Sequence, residues 1–375
     1  MRLGIVGCGR VVEQGHVPAL ADLADLPSDA PEVVALADPS AQRRAAVAQA
    51  LGGTGYAGYD DWRDMFARER LDVAIVALPH HLREAAIADA AAAGVHILCE
   101  KPLALTLDEI DRITRRTEQA GVRLGVMHNW RYSADQQAAL DAIRAGRIGD
   151  PFLIRNESLW GVPWASADPA HPDWRFSPAH SGGGIVIDAA YHAFYVSEAE
   201  MGSPVTQVDA TLRTYGDHAA VEDTAVITLT HASGGTTTLQ RSWLIRAGGA
   251  RVHEIHGSAG SIRFNAMDAT RQAEVFAGTS RPGSAPTDQS PAPAEIYEHA
   301  TGRWSPLLAA PGQPAPWWEG MRELLRLTFQ AWAKDEDSPI TASDARHNLR
   351  LVLAAYESAR SGRPIAVTPD ERKAE

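Results

Sequence analysis

Hydrophobic positions in the first third of the chain come in short unbroken runs, each closed by glycine, proline or a charged group. Residues 2–6, 33–37, 72–78, 96–100 and 123–127 read as strands, with a weaker one near Tyr56. Runs without polar alternation are buried on both faces, as parallel sheets require. Helical stretches alternate with them, an Ala-rich one over 82–93 and another over 106–120. In the second, Thr106 with Glu109 three residues on predicts a capping box, and Gly121 predicts the stop. The alternation predicts an α/β fold with a doubly wound parallel sheet.

After His128 the pattern changes. A helix over 134–145 is followed by runs of alternating polarity at 152–159, 205–215, 224–230, 236–243, 251–256 and 261–264. Gly-rich turns such as Ser233-Gly234-Gly235 join them, which predicts a large, mostly antiparallel open sheet in an α+β domain. One helix over 188–201 interrupts the strands. Residues 281–293, rich in Pro, Ser and Ala, read as a surface loop, and 317–334 and 343–360 as two closing helices. The expected domains are 1–128 and 129–375, with the helices in 317–360 packing back on the first. A length of 375 residues also exceeds a comfortable single core. An open sheet face predicts a homo-oligomer, a dimer or tetramer through the C-terminal sheet.

The formal charge of −12 and the absence of a basic run exclude nucleic acid as a partner. The two cysteines, Cys8 and Cys99, lie in apolar runs and offer neither a disulfide framework nor a metal spacing. No apolar run is long enough to span a bilayer, and the chain enters its first strand without a leader. A cytoplasmic protein with no membrane partner is expected.

Candidate chemistry sits where the apolar runs stop. Gly7-Cys8-Gly9 follows the first strand; glycines there allow a tight turn and close approach to a pyrophosphate. Val12 occupies the place of the third glycine of the dinucleotide fingerprint. Asp38 ends the second strand, the position that holds a ribose diol in NAD-binding folds. It is equally placed to cap the next helix. Arg43 and Arg44 lie further on and would suit a 2′-phosphate, but the carboxylate favours NAD over NADP. The run at 96–100 delivers Glu100-Lys101-Pro102 to the carboxyl edge of the sheet, either as solvated charges or as ligand-binding groups. The Lys101–Pro102 bond is a candidate cis peptide. Further on, Gly182-Gly183-Gly184 brings backbone close to something, and Asp188 and His192, four apart, share a helix face. A carboxylate that orients an imidazole is a general acid/base pair; the same spacing equally suits residues that cap a turn or stand exposed, and two such groups with no third ligand do not make a metal site. Trp164, Trp174 and Arg175 line a ligand pocket or merely anchor loops.

Taken together, Gly7-Cys8-Gly9-Arg10, Glu100-Lys101-Pro102, Asn129-Trp130-Arg131-Tyr132 and Gly182-Gly183-Gly184 with Asp188 and His192 resemble the Gfo/Idh/MocA oxidoreductases over essentially the whole chain. The resemblance implies an N-terminal Rossmann domain, a C-terminal domain whose sheet serves oligomerisation, a nicotinamide cofactor and a sugar or cyclitol substrate. It implies that Lys101 is the catalytic lysine, His192 the acid/base and Asp188 the carboxylate that assists both and binds substrate hydroxyls. Gly7, Gly9, Arg10, Val11, Val12 and Asp38 would hold the dinucleotide. Leu78, Pro79 and His81 would flank it, and Glu100, Lys101 and Asn129 would lie near its nicotinamide half. Lys101, Trp164, Trp174, Arg175, Asp188 and His192 would meet the substrate. Arg83, Ala190 and Tyr195 depart from the common pattern, as does Val12; Tyr195 bears on substrate contacts more than on chemistry.

The expected activity is NAD-dependent oxidation of a sugar, amino sugar or cyclitol hydroxyl, or the reverse reduction. The hydride goes to the cofactor, so the protein handles the proton and the oxyanion. Two alternatives are a glycosidase or epimerase that uses NAD transiently, and a non-catalytic dinucleotide sensor. The cleft between the two domains is the expected site.

Overall fold

The computed structural model describes residues 1–23, 31–53, 55–161, 174–216, 220–245, 251–264, 294–308 and 316–368. Trp164 and the loop expected at 281–293 lie outside the described residues. The chain forms two compact units, residues 1–133 with 316–346, and residues 134–315 with 347–375.

Among the described residues of the first unit, six strands form one parallel sheet: β1 (Arg2–Val6), β2 (Glu32–Ala37), β3 (Ala57–Tyr59), β4 (Val73–Val76), β5 (His96–Glu100) and β6 (Leu124–Met127). Their order is β3-β2-β1-β4-β5-β6. The order reverses between β1 and β4, where open α/β sheets bind ligands at their carboxyl ends. Register sets what gathers there. Val6 lies beside both Ala37 and Val76, Val76 beside Cys99, and Glu100 beside Met127. The residues that follow, Gly7, Asp38, Ala77, Lys101 and His128, therefore leave the sheet along one edge.

The capping box forms as read. Thr106 Oγ1 accepts from Glu109 N at 3.2 Å, and the Glu109 carboxylate accepts from Thr106 N at 3.1 Å. Gly121 ends the helix Leu107–Ala120 in the left-handed conformation. After Gly9 the chain makes a wide π-helical turn, Val12–His16, before the short α-helix Val17–Ala21. The returning helix Glu319–Ala333 completes this unit. The Trp317 ring sits so close to Gly15 that an added Cβ would lie 2.6 Å from it. Arg322 also pairs with Asp22 at 2.6 Å.

The second unit is built on a sheet with nine described strands: β7 (Pro151–Leu159), β8 (Val205–Arg213), β9 (Thr224–His231), β10 (Thr236–Ser242), β11 (Arg251–Gly257), β12 (Gly260–Phe264), β13 (Ala294–Glu298), β14 (Arg303–Pro306) and β15 (Ile365–Ala366). They lie in the order β14-β13-β12-β11-β7-β10-β9-β8-β15, antiparallel except where β7 meets β10. Helix Ala134–Arg144 and Met201, at the end of helix Tyr191–Met201, share a core with this sheet, through Ala139, Ala142, Ile148, Ile154, Ile255, Ile262 and Ile296. Along β9 buried and outward positions alternate, and the outward side leaves Val226 48% exposed. Within this unit, helix Tyr191–Met201 is tied to the C-terminal helix where His347 Nε2 donates to the Glu198 carboxylate at 3.0 Å. No helix among the described residues is long and apolar enough to cross a membrane.

Candidate active site

The dinucleotide turn is dictated by sterics. Gly7 has φ +92°, and a Cβ there would lie 2.5 Å from the Ala77 carbonyl, so no other residue fits. At Gly9 a Cβ would meet nothing within 4 Å, so the turn opens onto free space. Arg10 is exposed, whereas the Val12 side chain turns into the core and its N–H bonds the Gly9 carbonyl. Asp38 is buried, and its carboxylate ties the turn to the next element. It accepts from Cys8 N at 2.9 Å and from Ser40 N at 2.8 Å. The helix Ala41–Ala50 is capped by Ser40, whose Oγ accepts from Arg43 N, so capping is not the role of Asp38. Each Asp38 oxygen keeps lone-pair capacity for a ribose hydroxyl. Arg44 is drawn aside by Asp60 at 2.6 Å and also donates to the Asp38 carbonyl.

At the end of β5 the Lys101–Pro102 peptide is cis, as expected. Two side chains that sequence reasoning did not assign hold this corner. His16 Nε2 donates to Glu100 Oε1 at 2.9 Å in a buried pair, and Glu100 Oε2 accepts from Lys101 N at 3.2 Å. Burial alone would raise the Glu100 carboxyl. The bond from His16 and the charges of Lys101 and Arg83 instead hold it below its usual range. Arg83, which departs from the family pattern, lies buried under the turn. It donates to the carbonyls of Leu78 at 2.8 Å and Glu100 at 2.6 Å, and to that of Pro102. His128, at the end of β6, is pushed down to about 3 by burial and by the Lys101 charge. Asn129 is buried beside it, and His81 is exposed. Both cysteine thiols are buried and pushed up to about 12, chiefly by burial.

In the second unit the glycine run meets two partners that were not anticipated. An added Cβ on Gly183 would strike the Tyr356 hydroxyl at 2.0 Å, and one on Gly184 the Glu222 carbonyl at 1.9 Å. Asp188 lies in a π-helical turn, Val186–Ala190, that runs directly into the helix Tyr191–Met201 bearing His192. His192 is buried and Asp188 half-buried. Arg175 Nε lies 3.9 Å from Asp188 Oδ1, and its guanidinium stacks 4.7 Å over the Trp174 ring. The structure thus brings together Trp174, Arg175 and Asp188. The signal for Glu222 and Tyr356 is the glycine run itself, which says that something approaches without saying what.

A parallel sheet with a glycine turn, an acidic residue at the end of β2 and an open position at Gly9 fits a dinucleotide. These features define a dinucleotide-binding Rossmann domain. Residues 1–128 match the family described as "Oxidoreductase family, NAD-binding Rossmann fold", and residues 136–263 match the GFO/IDH/MocA C-terminal domain. The chain belongs to this family. It is 30% identical to a D-apiose dehydrogenase of Paraburkholderia graminis, over 99% of this chain and 90% of the relative. A 1,5-anhydro-D-fructose reductase of Ensifer adhaerens is 27% identical, over 84% of this chain and 90% of the relative. Among solved structures, a levoglucosan dehydrogenase complexed with NADH aligns with a TM-score of 0.79 at 22% identity, covering 99% of this chain and all of that one (100%).

Proposed function

We propose that this protein is an NAD-dependent dehydrogenase that interconverts a secondary hydroxyl and a ketone on a sugar, amino sugar or cyclitol. The observation that carries the reading is the presence of Lys101, Asp188 and His192 in a chain related end to end to a sugar dehydrogenase. NAD, when bound, accepts or returns the hydride. Gly7, Gly9, Arg10, Val11 and Val12 hold its phosphates; Asp38 takes the ribose diol, and Arg44, already engaged by Asp60, leaves a 2′-phosphate poorly served. Leu78, Pro79, His81, Glu100, Lys101 and Asn129 frame the rest of the cofactor.

His192 takes the hydroxyl proton, since imidazole changes protonation near neutral pH. Lys101 stabilises the developing oxyanion with its positive charge. Asp188 orients the imidazole and, with Trp174, Arg175 and Trp164, binds substrate hydroxyls. In this reading residues 1–128 serve the cofactor and 129–375 the substrate. The enzyme works in the cytoplasm as a homo-oligomer, dimer or tetramer, through the outward face of the sheet that carries Val226.

An absorbance screen at 340 nm against sugars, polyols and aminocyclitols, with NAD and NADP, tests the reading. Lys101→Ala and His192→Ala are each expected to lose about 10²–10⁴-fold in turnover while keeping NAD binding. Turnover close to wild type in either variant overturns its role. Substrate conversion without net NADH would point to transient use of the cofactor.

A further inference from the structure

We propose that Glu222 is a positioning residue for the acid/base segment, holding Asp188 and His192 in register through the backbone that precedes them. The inference rests on the roles given to those two residues above. It is carried by a pattern of bonds no motif announces. Three successive amides, those of Gly184, Ile185 and Val186, all donate to this one residue. Gly184 N and Val186 N reach its Oε1 at 2.9 and 3.1 Å, and Ile185 N reaches its carbonyl at 3.0 Å.

These amides open a helical segment whose first turn has no partner of its own. Asp188 N donates in turn to the Gly184 carbonyl at 3.1 Å, so the anchored glycine supports the backbone of the acidic residue directly.

Glu222 is itself fixed from two sides. Tyr356 Oη donates to Oε1 at 2.7 Å, and the space a Gly183 side chain would need is filled by that hydroxyl. Its neighbour Asp223 locks the strand start, accepting from Tyr215 N at 2.9 Å and Gly216 N at 2.8 Å. Thus Gly183 and Gly184 are small because Tyr356 and Glu222 occupy the volume beside them. Glu222 touches no reacting atom in this scheme; it acts through the position of the helix. Misplacing catalytic groups by about 1 Å costs on the order of 100-fold in rate, which sets the expected scale.

The test compares Glu222→Ala, Glu222→Gln and Tyr356→Phe in the full-length protein, with His192→Ala in parallel. Turnover is measured per bound NAD, and NAD affinity separately. Glu222→Ala is expected to lose about 10- to 100-fold in kcat with NAD affinity unchanged. Glu222→Gln keeps an oxygen acceptor at Oε1 and is expected to restore kcat to within about threefold of wild type, because the acceptor rather than the charge holds the amides. A folded Glu222→Ala with wild-type kcat overturns the inference. So does a Glu222→Gln variant as impaired as the alanine. Should Glu222→Ala fail to fold, Tyr356→Phe decides: a severalfold fall in kcat at unchanged NAD affinity supports the assignment, and an unchanged kcat overturns it. Full activity in His192→Ala would instead remove the underlying reading. An inactive His192→Ala beside an unimpaired Glu222→Ala removes this inference alone.

Discussion

Acidification should unload a measurable part of the stability of the first unit through one side chain, His128. The ring is fully buried at the end of β6, and burial together with the Lys101 charge pushes it from its ordinary value of 6.5 down to about 3. The folded state therefore keeps the ring neutral over a range in which the unfolded chain binds a proton. Stability from this source is complete above the ordinary value, falls as the pH drops through it, and levels off near the folded value. At about pH 4.5 the unfolded histidine gains two decades of protonation that the folded one does not, which amounts to about 3 kcal/mol at 1.36 kcal/mol per decade. The loss at about pH 5.5 is half of that. Urea denaturation of the wild type and of His128→Gln at several pH values measures it. Other groups titrate in both proteins, so the difference in slope isolates the histidine. The glutamine variant should start less stable at neutral pH and lose less on acidification. Parallel pH profiles in the two proteins would refute the reasoning.

Two further outcomes are expected. Gly7→Ala places a Cβ 2.5 Å from the Ala77 carbonyl at φ +92°. It should lower stability by about 2 kcal/mol or more and abolish tight NAD binding, read by thermal melting with and without NAD. Thr106→Ala removes the cap of helix Leu107–Ala120 and should cost about 1 kcal/mol in denaturant unfolding, with kcat unchanged.

The parallel sheet was legible because β1, β2, β4, β5 and β6 are apolar runs closed by glycine, proline or a polar group, whereas the short, half-exposed β3 left only a weak signal. The capping box was legible because its two residues are three apart and its bonds are local, Glu109 also accepting from Leu105 N at 2.8 Å. Harder to see was the helix Trp62–Arg68, whose few buried positions leave little pattern; Met65 is its buried residue. Strands β13 and β14 are short, and their identity comes from pairing, β13 with β12 and β14 with β13, rather than from their own residues. The candidate site divides in the same way. Glycines, Lys101, Asp188 and His192 announce themselves by type and spacing. Their supports do not: His16 meets Glu100, and Glu222 meets Tyr356, across long stretches of chain. Arg83, read as a departure from the family, proves to be a clamp on three carbonyls. Asp38 carried two readings, and Ser40 settles the capping half of the question.

The first unit is made from two separated pieces of chain, and this has a consequence for its birth on the ribosome. Residues 1–133 carry the whole parallel sheet, but the helix Glu319–Ala333 that covers Gly15 comes only after residues 134–315 have been made. At about 5–20 residues per second, the sheet waits on the order of ten seconds or longer for its last helix. During that time the apolar surface awaiting Met321, Leu324, Leu325 and Phe329 stands uncovered. A nascent chain stopped at residue 133 holds the nucleotide turn but not the finished unit. A minimal cofactor-binding fragment must therefore splice residues 316–346 back on, rather than end where the sheet ends.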